Sequence, residues 1–286
     1  MSLFLETLVV LNNASNLSIS LAVREIYQKT VLNPVSFEGI GLHSGKKSKI
    51  NIIPGSEESG IIFKRTDLTN NNLISANYKN VSSTTLSTTL QNKHGVKVST
   101  VEHLLAAFYI AGIDSAIVEI DNEEIPIMDG SAKDFLKLLK KAKTKQLDKK
   151  IKYLKVLEKV QLTEGKRKIQ IIPKDTFEVD FELQYENKVI GNQRNIINFF
   201  SQDLKDVWES RTFCLYEDIQ KIKQMGLAKG GTLENAVVVD DHKVINEGGL
   251  RNQKEFVNHK ILDLAGDFLL SGYRVVGAVY CYQGGH

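Results

Sequence analysis

Cysteine is scarce in this chain. Cys214 and Cys281 are the only two, which excludes a disulfide framework and a Cys-rich metal site and fits a reducing compartment. Long apolar runs are also missing. No stretch approaches the roughly 20 residues that a membrane-spanning helix needs. The short apolar run within the first eleven residues has no basic leader and no small-residue cleavage site, so a signal peptide is not expected. Charge of one sign is in short supply as well: 37 Lys and Arg against 34 Asp and Glu leave a formal charge of +3. That is too little to argue for nucleic acid. The one local lysine excess, between Lys137 and Lys155, reads as a solvated helix face or a linker. These absences predict a cytoplasmic protein without stable membrane insertion and without a nucleic-acid partner; a monomer is the expectation, though nothing in the sequence fixes the oligomeric state.

What is there suits a globular protein with a real core: 42% hydrophobic and 25% charged residues over 286 positions, enough for two domains of ordinary size. Residues 1–31 match nothing that follows and are expected to be a weakly ordered extension. An N-terminal α+β domain is expected at 32–145 and a C-terminal α+β domain at 151–286. In the first, alternation predicts a strand over 47–53 and another over 60–63. A helix over 99–111 leads to a strand at 115–120, and a second helix over 132–143 has Ser131 as its N-cap. The basic stretch 141–150 reads as a linker. In the second half, strands are predicted at 169–172 and 177–184, then a helix over 254–271 and a strand over 274–282. Set level, His103 and His259 each stand early in a helix that runs into glycine and a Val/Ile-rich strand. An internal duplication is the simplest account.

Chemistry concentrates on those two helices. At about 100° per residue, His259, Asp263 and Asp267 share an arc of roughly 80°, while Val257, Ile261, Leu264, Ala265, Phe268 and Leu269 take the other side. Imidazole nitrogen and carboxylate oxygen are ordinary zinc ligands, and i, i+4 spacing lets both reach one ion. His-x-x-x-Asp is a common accident, and alone it reads first as a solvated polar face. His103 lies in a helix that is apolar nearly all round, so its imidazole needs a partner. Glu102 beside it is a carboxylate that burial would leave in want of a positive charge. Together His103, His259 and Asp263 make the three protein ligands of a catalytic zinc site. Glu102 is then a candidate general base. The His-Glu-x-x-His helix of common metalloproteases is absent. His286, after two glycines, is a candidate general acid whose tautomer Asp267 would hold. The glycine-rich Gly39-Ile-Gly-Leu-His-Ser-Gly lacks phosphate-loop spacing and reads as a turn. Lys229-Gly-Gly-Thr-Leu reads as a loop entering a strand.

Those segments and several others, in this order, resemble the UDP-3-O-acyl-N-acetylglucosamine deacetylase family of Gram-negative bacteria. They are Gly39-Ile-Gly-Leu-His-Ser-Gly, Ser99-Thr-Val-Glu-His-Leu, Glu124-Ile-Pro-Ile-Met-Asp-Gly-Ser-Ala, Ser210-Arg-Thr-Phe, Lys229-Gly-Gly-Thr-Leu, Phe256-Val-Asn-His-Lys-Ile-Leu-Asp-Leu-Ala-Gly-Asp and Gly284-Gly-His. The resemblance spans residue 33 to the end. It implies an α+β fold of two similar domains with the active site at their interface, and Zn2+ on His103, His259 and Asp263. It also implies Glu102 as base, His286 as acid oriented by Asp267, and Thr212 beside the tetrahedral oxyanion. Phe213, Tyr185 and Lys260 become contacts to the nucleotide-sugar diphosphate, with an apolar passage for the acyl chain around 226–238. The implied reaction is removal of the N-acetyl group from UDP-3-O-(3-hydroxyacyl)-N-acetylglucosamine in lipid A synthesis. Two features depart from the family pattern. The family continues past its Gly-His, whereas here His286 is terminal and carries the α-carboxylate, which is expected to weaken it as an acid. Gln283 stands where the family favours lysine, one positive charge fewer beside the diphosphate. The rival expectations are a zinc amidohydrolase for a different acyl sugar, and a relative that binds zinc and UDP-sugar without turnover.

Overall fold

The computed structural model describes residues 26–285. It opens on β1 (Tyr27–Val31), then β2 (Val35–Ile40), β3 (Lys47–Pro54), β4 (Ile61–Arg65) and β5 (Leu73–Ser75). A three-stranded sheet of β6 (Val81–Ser83), β7 (Thr89–Gln91) and β8 (Lys97–Val98) precedes helix α1 (Glu102–Ala111) and β9 (Ala116–Ile120). Helix α2 (Lys133–Ala142), β10 (Thr144–Lys150) and β11 (Tyr153–Lys155) lead into the second half. There β12 (Val160–Glu164), β13 (Arg167–Ile172), β14 (Phe177–Gln184) and β15 (Asn192–Asn198) are followed by short helix α3 (Lys205–Trp208) and β16 (Phe213–Leu215). Helix α4 (Asp218–Gln224), β17 (Val237–Val239), helix α5 (Glu255–Leu269) and β18 (Arg274–Tyr282) complete the chain. The fold is mixed α+β, as the sequence predicts.

Period-two patterning builds the strands. In β3 the buried residues are Ser48, Ile50 and Ile52, and the residues between them face outward or are half-buried. The first large sheet has the order β2-β3-β9-β4-β5 and the second β12-β13-β18-β14-β15, with β11 on β18. Strand sense matches too. The central strand, β9 or β18, is antiparallel to β3 or β13 and parallel to β4 or β14. Each central strand is the one that follows a histidine-bearing helix, as an internal duplication requires. The core is continuous, with Phe63, Phe108, Phe135, Phe177, Phe256 and Phe268 fully buried; such side chains stabilise by roughly 1.5–3 kcal/mol each.

Three boundaries differ from the sequence reading. Tyr27–Val31, placed within the extension, is strand β1, paired antiparallel with β10; residues 1–25 lie outside the described residues. The supposed linker is therefore largely β10. Thr30 and Val31 drive the pairing from the buried side, while the lysines of β10 stay exposed, and an exposed edge strand has a linker's composition. Helix α2 starts one residue late: Ala132 is its N-cap, and the Ser131 hydroxyl accepts from Lys133 N–H at 3.2 Å. No helix among the described residues is long and apolar enough to cross a membrane.

Candidate metal centre and active-site cavity

Helices α1 and α5 lie against each other. They approach closely at Gly266, where an added methyl group would overlap the Glu102 carbonyl oxygen. Only glycine permits that backbone approach. The consequence is chemical. His103 on α1 and His259 on α5 each bring Nε2 to 3.4 Å from Asp263 Oδ1, and their rings stand edge to face with centroids 4.9 Å apart. The three candidate ligand atoms lie within 4.8 Å of one another, all on buried residues. The face of α5 that carries them is buried rather than solvated.

His259 Nδ1 lies 3.1 Å from the Ser210 carbonyl oxygen. A carbonyl only accepts, so Nδ1 carries the proton and Nε2 presents its lone pair to the site. Burial pushes the His259 pKa down to about 3, against the opposing pull of Asp263; the ring is neutral, as a metal ligand must be. The second carboxylate oxygen, Oδ2 of Asp263, accepts from Lys260 Nζ at 3.0 Å. Burial opposes charge on Lys260, but the Asp263 carboxylate outweighs it and holds the ammonium above its ordinary pKa. Ring nitrogens and a carboxylate oxygen that converge on one buried point repel one another unless a cation lies among them. Two imidazoles and one carboxylate are a donor set that fits a divalent metal ion.

Glu102 is buried and accepts the backbone N–H of Thr88 at 3.0 Å. The Thr88 hydroxyl donates to Asp267 Oδ1 at 2.9 Å. One residue thus ties the carboxylate beside the first histidine to the helix of the second. A cavity of about 510 Å³ opens over this cluster, and Glu102, His103, Tyr185, Thr212, Phe213, His259, Lys260 and Asp263 all line it. Three of the expected substrate contacts meet there. Tyr185 and Phe213 pack edge to face at 5.9 Å, and Lys260 Nζ stands 5.7 Å from the Phe213 ring centre. Thr212 is held by its backbone, donating N–H to Gly130 O at 2.7 Å and accepting from Val237 N–H at 2.8 Å. His286 lies outside the described residues. Its neighbour Gly285 lines a small hollow together with Asp263 and Asp267. Gln283 stands at the cavity and donates its side-chain amide to the Gln184 carbonyl.

The glycine-rich turn after β2 cradles an internal carboxylate rather than a phosphate. Glu124 accepts from the backbone N–H groups of His43 (2.8 Å) and Ser44 (2.7 Å) and from the Thr100 hydroxyl (3.0 Å). A side chain at Gly41 would overlap Glu124. Beside this turn lies a second, mostly apolar cavity of about 270 Å³, bounded by Ile219, Leu233, Ala236 and Val238. The sequence reading gave no role to Thr88, nor to Gly266 and the Ser210 carbonyl, although the last two stand in segments that carry the family resemblance. Gly266 is legible only as a small residue between two carboxylates; the others act through backbone or across 179 residues. It likewise gave no role to Arg211 or Glu255, a buried pair at 2.8 Å that ties the residue after Ser210 to the start of α5.

The family model described as UDP-3-O-acyl N-acetylglycosamine deacetylase matches residues 28–286. Proteins named UDP-3-O-acyl-N-acetylglucosamine deacetylase are similar over most of the chain. The one from Shewanella frigidimarina is 42% identical over 264 residues, covering 91% of this chain and 86% of that protein. That from Geobacter sp. (strain M21) is 43% identical over 262 residues, again 91% and 86%. That from Geotalea uraniireducens is 42% identical over 261 residues, 91% and 85%. The match starts at residue 28, so the last residues of the expected extension belong with the family. The chain is a member of the UDP-3-O-acyl-N-acetylglucosamine deacetylase family.

Proposed function

We propose that this protein hydrolyses the N-acetyl group of UDP-3-O-(3-hydroxyacyl)-N-acetylglucosamine, releasing acetate, with a zinc ion held by His103, His259 and Asp263. The observation that carries the reading is the convergence of those three buried ligand atoms beside Glu102 in a member of this family. When bound, zinc supplies Lewis acidity and makes water acidic enough to ionise near neutral pH.

The chain's own residues do the rest. Glu102, oriented by Thr88 N–H, takes the proton of the attacking water as general base. Thr212 offers its hydroxyl to the oxyanion that develops as the amide carbonyl is attacked. His286 returns a proton to the leaving amine, with Asp267 setting its orientation. Lys260 and the Phe213–Tyr185 ring pair receive the nucleotide-sugar diphosphate, and the 270 Å³ apolar cavity takes the acyl chain. This reading places the reaction between two α+β domains, 32–145 and 151–286, and the scarcity of cysteine supports a cytoplasmic setting.

The test is acetate release by the purified, zinc-loaded protein and by Glu102→Ala. A large loss of rate with zinc content retained is expected. An unchanged rate would remove Glu102 as the base, and a wild type that releases no acetate from this substrate would remove the function.

A further inference from the structure

The glycine-rich turn places His43 where the polar cavity and the apolar cavity meet. His43 lines both, as do Leu42, Leu86, Phe213 and Ile222. Its position is firmly set. Its backbone N–H donates to Glu124 Oε1 at 2.8 Å, and its ring Nδ1 accepts the Ala228 N–H at 3.4 Å. A ring nitrogen that accepts carries no proton, so in the neutral imidazole the proton sits on Nε2. That Nε2 is buried and has no hydrogen-bond partner among the described residues. The molecule therefore holds a fixed, desolvated donor at the entrance to a greasy cavity. Left unmade, such a hydrogen bond is costly, and an unsubstituted alkyl chain passing the junction would leave it unmade.

Resting on the deacetylase reading above, we propose that His43 Nε2–H donates to the hydroxyl oxygen on the third carbon of the acyl chain. It thereby selects 3-hydroxyacyl over unsubstituted acyl substrates. An acyl chain that leaves the sugar and enters the apolar cavity carries two oxygens near its start. The ester carbonyl adjoins the sugar, on the polar side. The hydroxyl, two carbons further on, arrives at the junction. A pocket that discriminates by a buried polar group left unpaired is far more selective than one that senses size. His43 is on this account a specificity-determining residue, away from the reacting amide.

The experiment compares kcat/KM for two substrates that differ only in that hydroxyl, the 3-hydroxyacyl and the 3-deoxyacyl UDP-N-acetylglucosamines, in wild type, His43→Phe and His43→Gln. Wild type should prefer the hydroxyl by about 10-fold or more. The preference should fall towards one in H43F and survive in H43Q, whose amide restores a donor. A preference that persists undiminished in H43F overturns the proposal. So does an equal loss on both substrates, which would point to the ester carbonyl. Should wild type turn over neither substrate, the deacetylase reading fails, and calorimetric binding of the two acyl sugars to wild type and H43F decides the selectivity by itself. Equal affinities of wild type for the two would then overturn it. Zinc content and thermal unfolding, measured alongside, separate a misfolded variant from a selective one; if H43F misfolds, H43L takes its place.

Discussion

Helices α1 and α5 hold equivalent places in two sheets of the same strand order, yet they divide the chemistry unequally. Helix α1 is ten residues long and apolar apart from its first turn, where Glu102 and His103 stand. Helix α5 is fifteen residues long and carries His259, Lys260, Asp263 and Asp267 on one side. Their histidines differ as well. His259 is pinned through Nδ1 to Ser210, whereas His103 Nδ1 has no hydrogen-bond partner among the described residues. The candidate ligands are divided accordingly: α5 brings two and α1 brings one, with the Glu102 carboxylate beside it as the proposed base.

The largest break in that comparison is Asp263→Ala, which removes the atom on which both histidines converge. Bound zinc, measured by metal analysis, should fall from one per chain towards none, and acetate release should fall to background. Glu102→Gln strikes the other helix and should do something different. Zinc should remain while kcat drops about 10²–10⁴-fold; loss of metal instead would make Glu102 a ligand. Gly266→Ala tests the crossing itself. Its methyl group must push α5 from the Glu102 carbonyl, so thermal unfolding should show a loss of roughly 1–3 kcal/mol, with zinc affinity reduced although no ligand has changed.

The smallest effect is expected at Asp129, which joins the halves through Arg251 Nη2 at 2.9 Å and adjoins Gly130, the acceptor for Thr212. Burial raises the Asp129 carboxyl, but the Ser131 hydroxyl and Arg251 outweigh it and hold it below its ordinary value near 3.8. A carboxyl with a depressed folded pKa stabilises above its unfolded pKa and loses that contribution as pH falls through the folded one. Asp129→Asn should thus cost about 1 kcal/mol at most at pH 7. Denaturant titrations should show the gap closing as pH drops below about 3.8. A gap independent of pH would assign the loss to packing.

Much of the frame was legible in advance because its signals are periodic. Alternation marks β3, an apolar run marks α1 and a one-sided apolar face marks α5, and the repeat that relates the halves follows from setting His103 and His259 level. The turn around Gly41 was legible by what it lacks, the spacing of a phosphate loop. β1 and β10 were not legible. A strand whose lysines face water has no compositional mark to separate it from a linker, and only its pairing with Tyr27–Val31 makes it a strand.

The residue types of the site were set by the sequence alone: two imidazoles and a carboxylate on two helices, with a second carboxylate next to one imidazole. Tertiary structure decided that they face one another. A methyl-free position at Gly266 lets the helices touch, the Ser210 carbonyl chooses the His259 tautomer, and Thr88 links Glu102 to Asp267. These are backbone and long-range effects. Chain spacing specifies which groups a helix carries, but the distance between two helices depends on what lies between them.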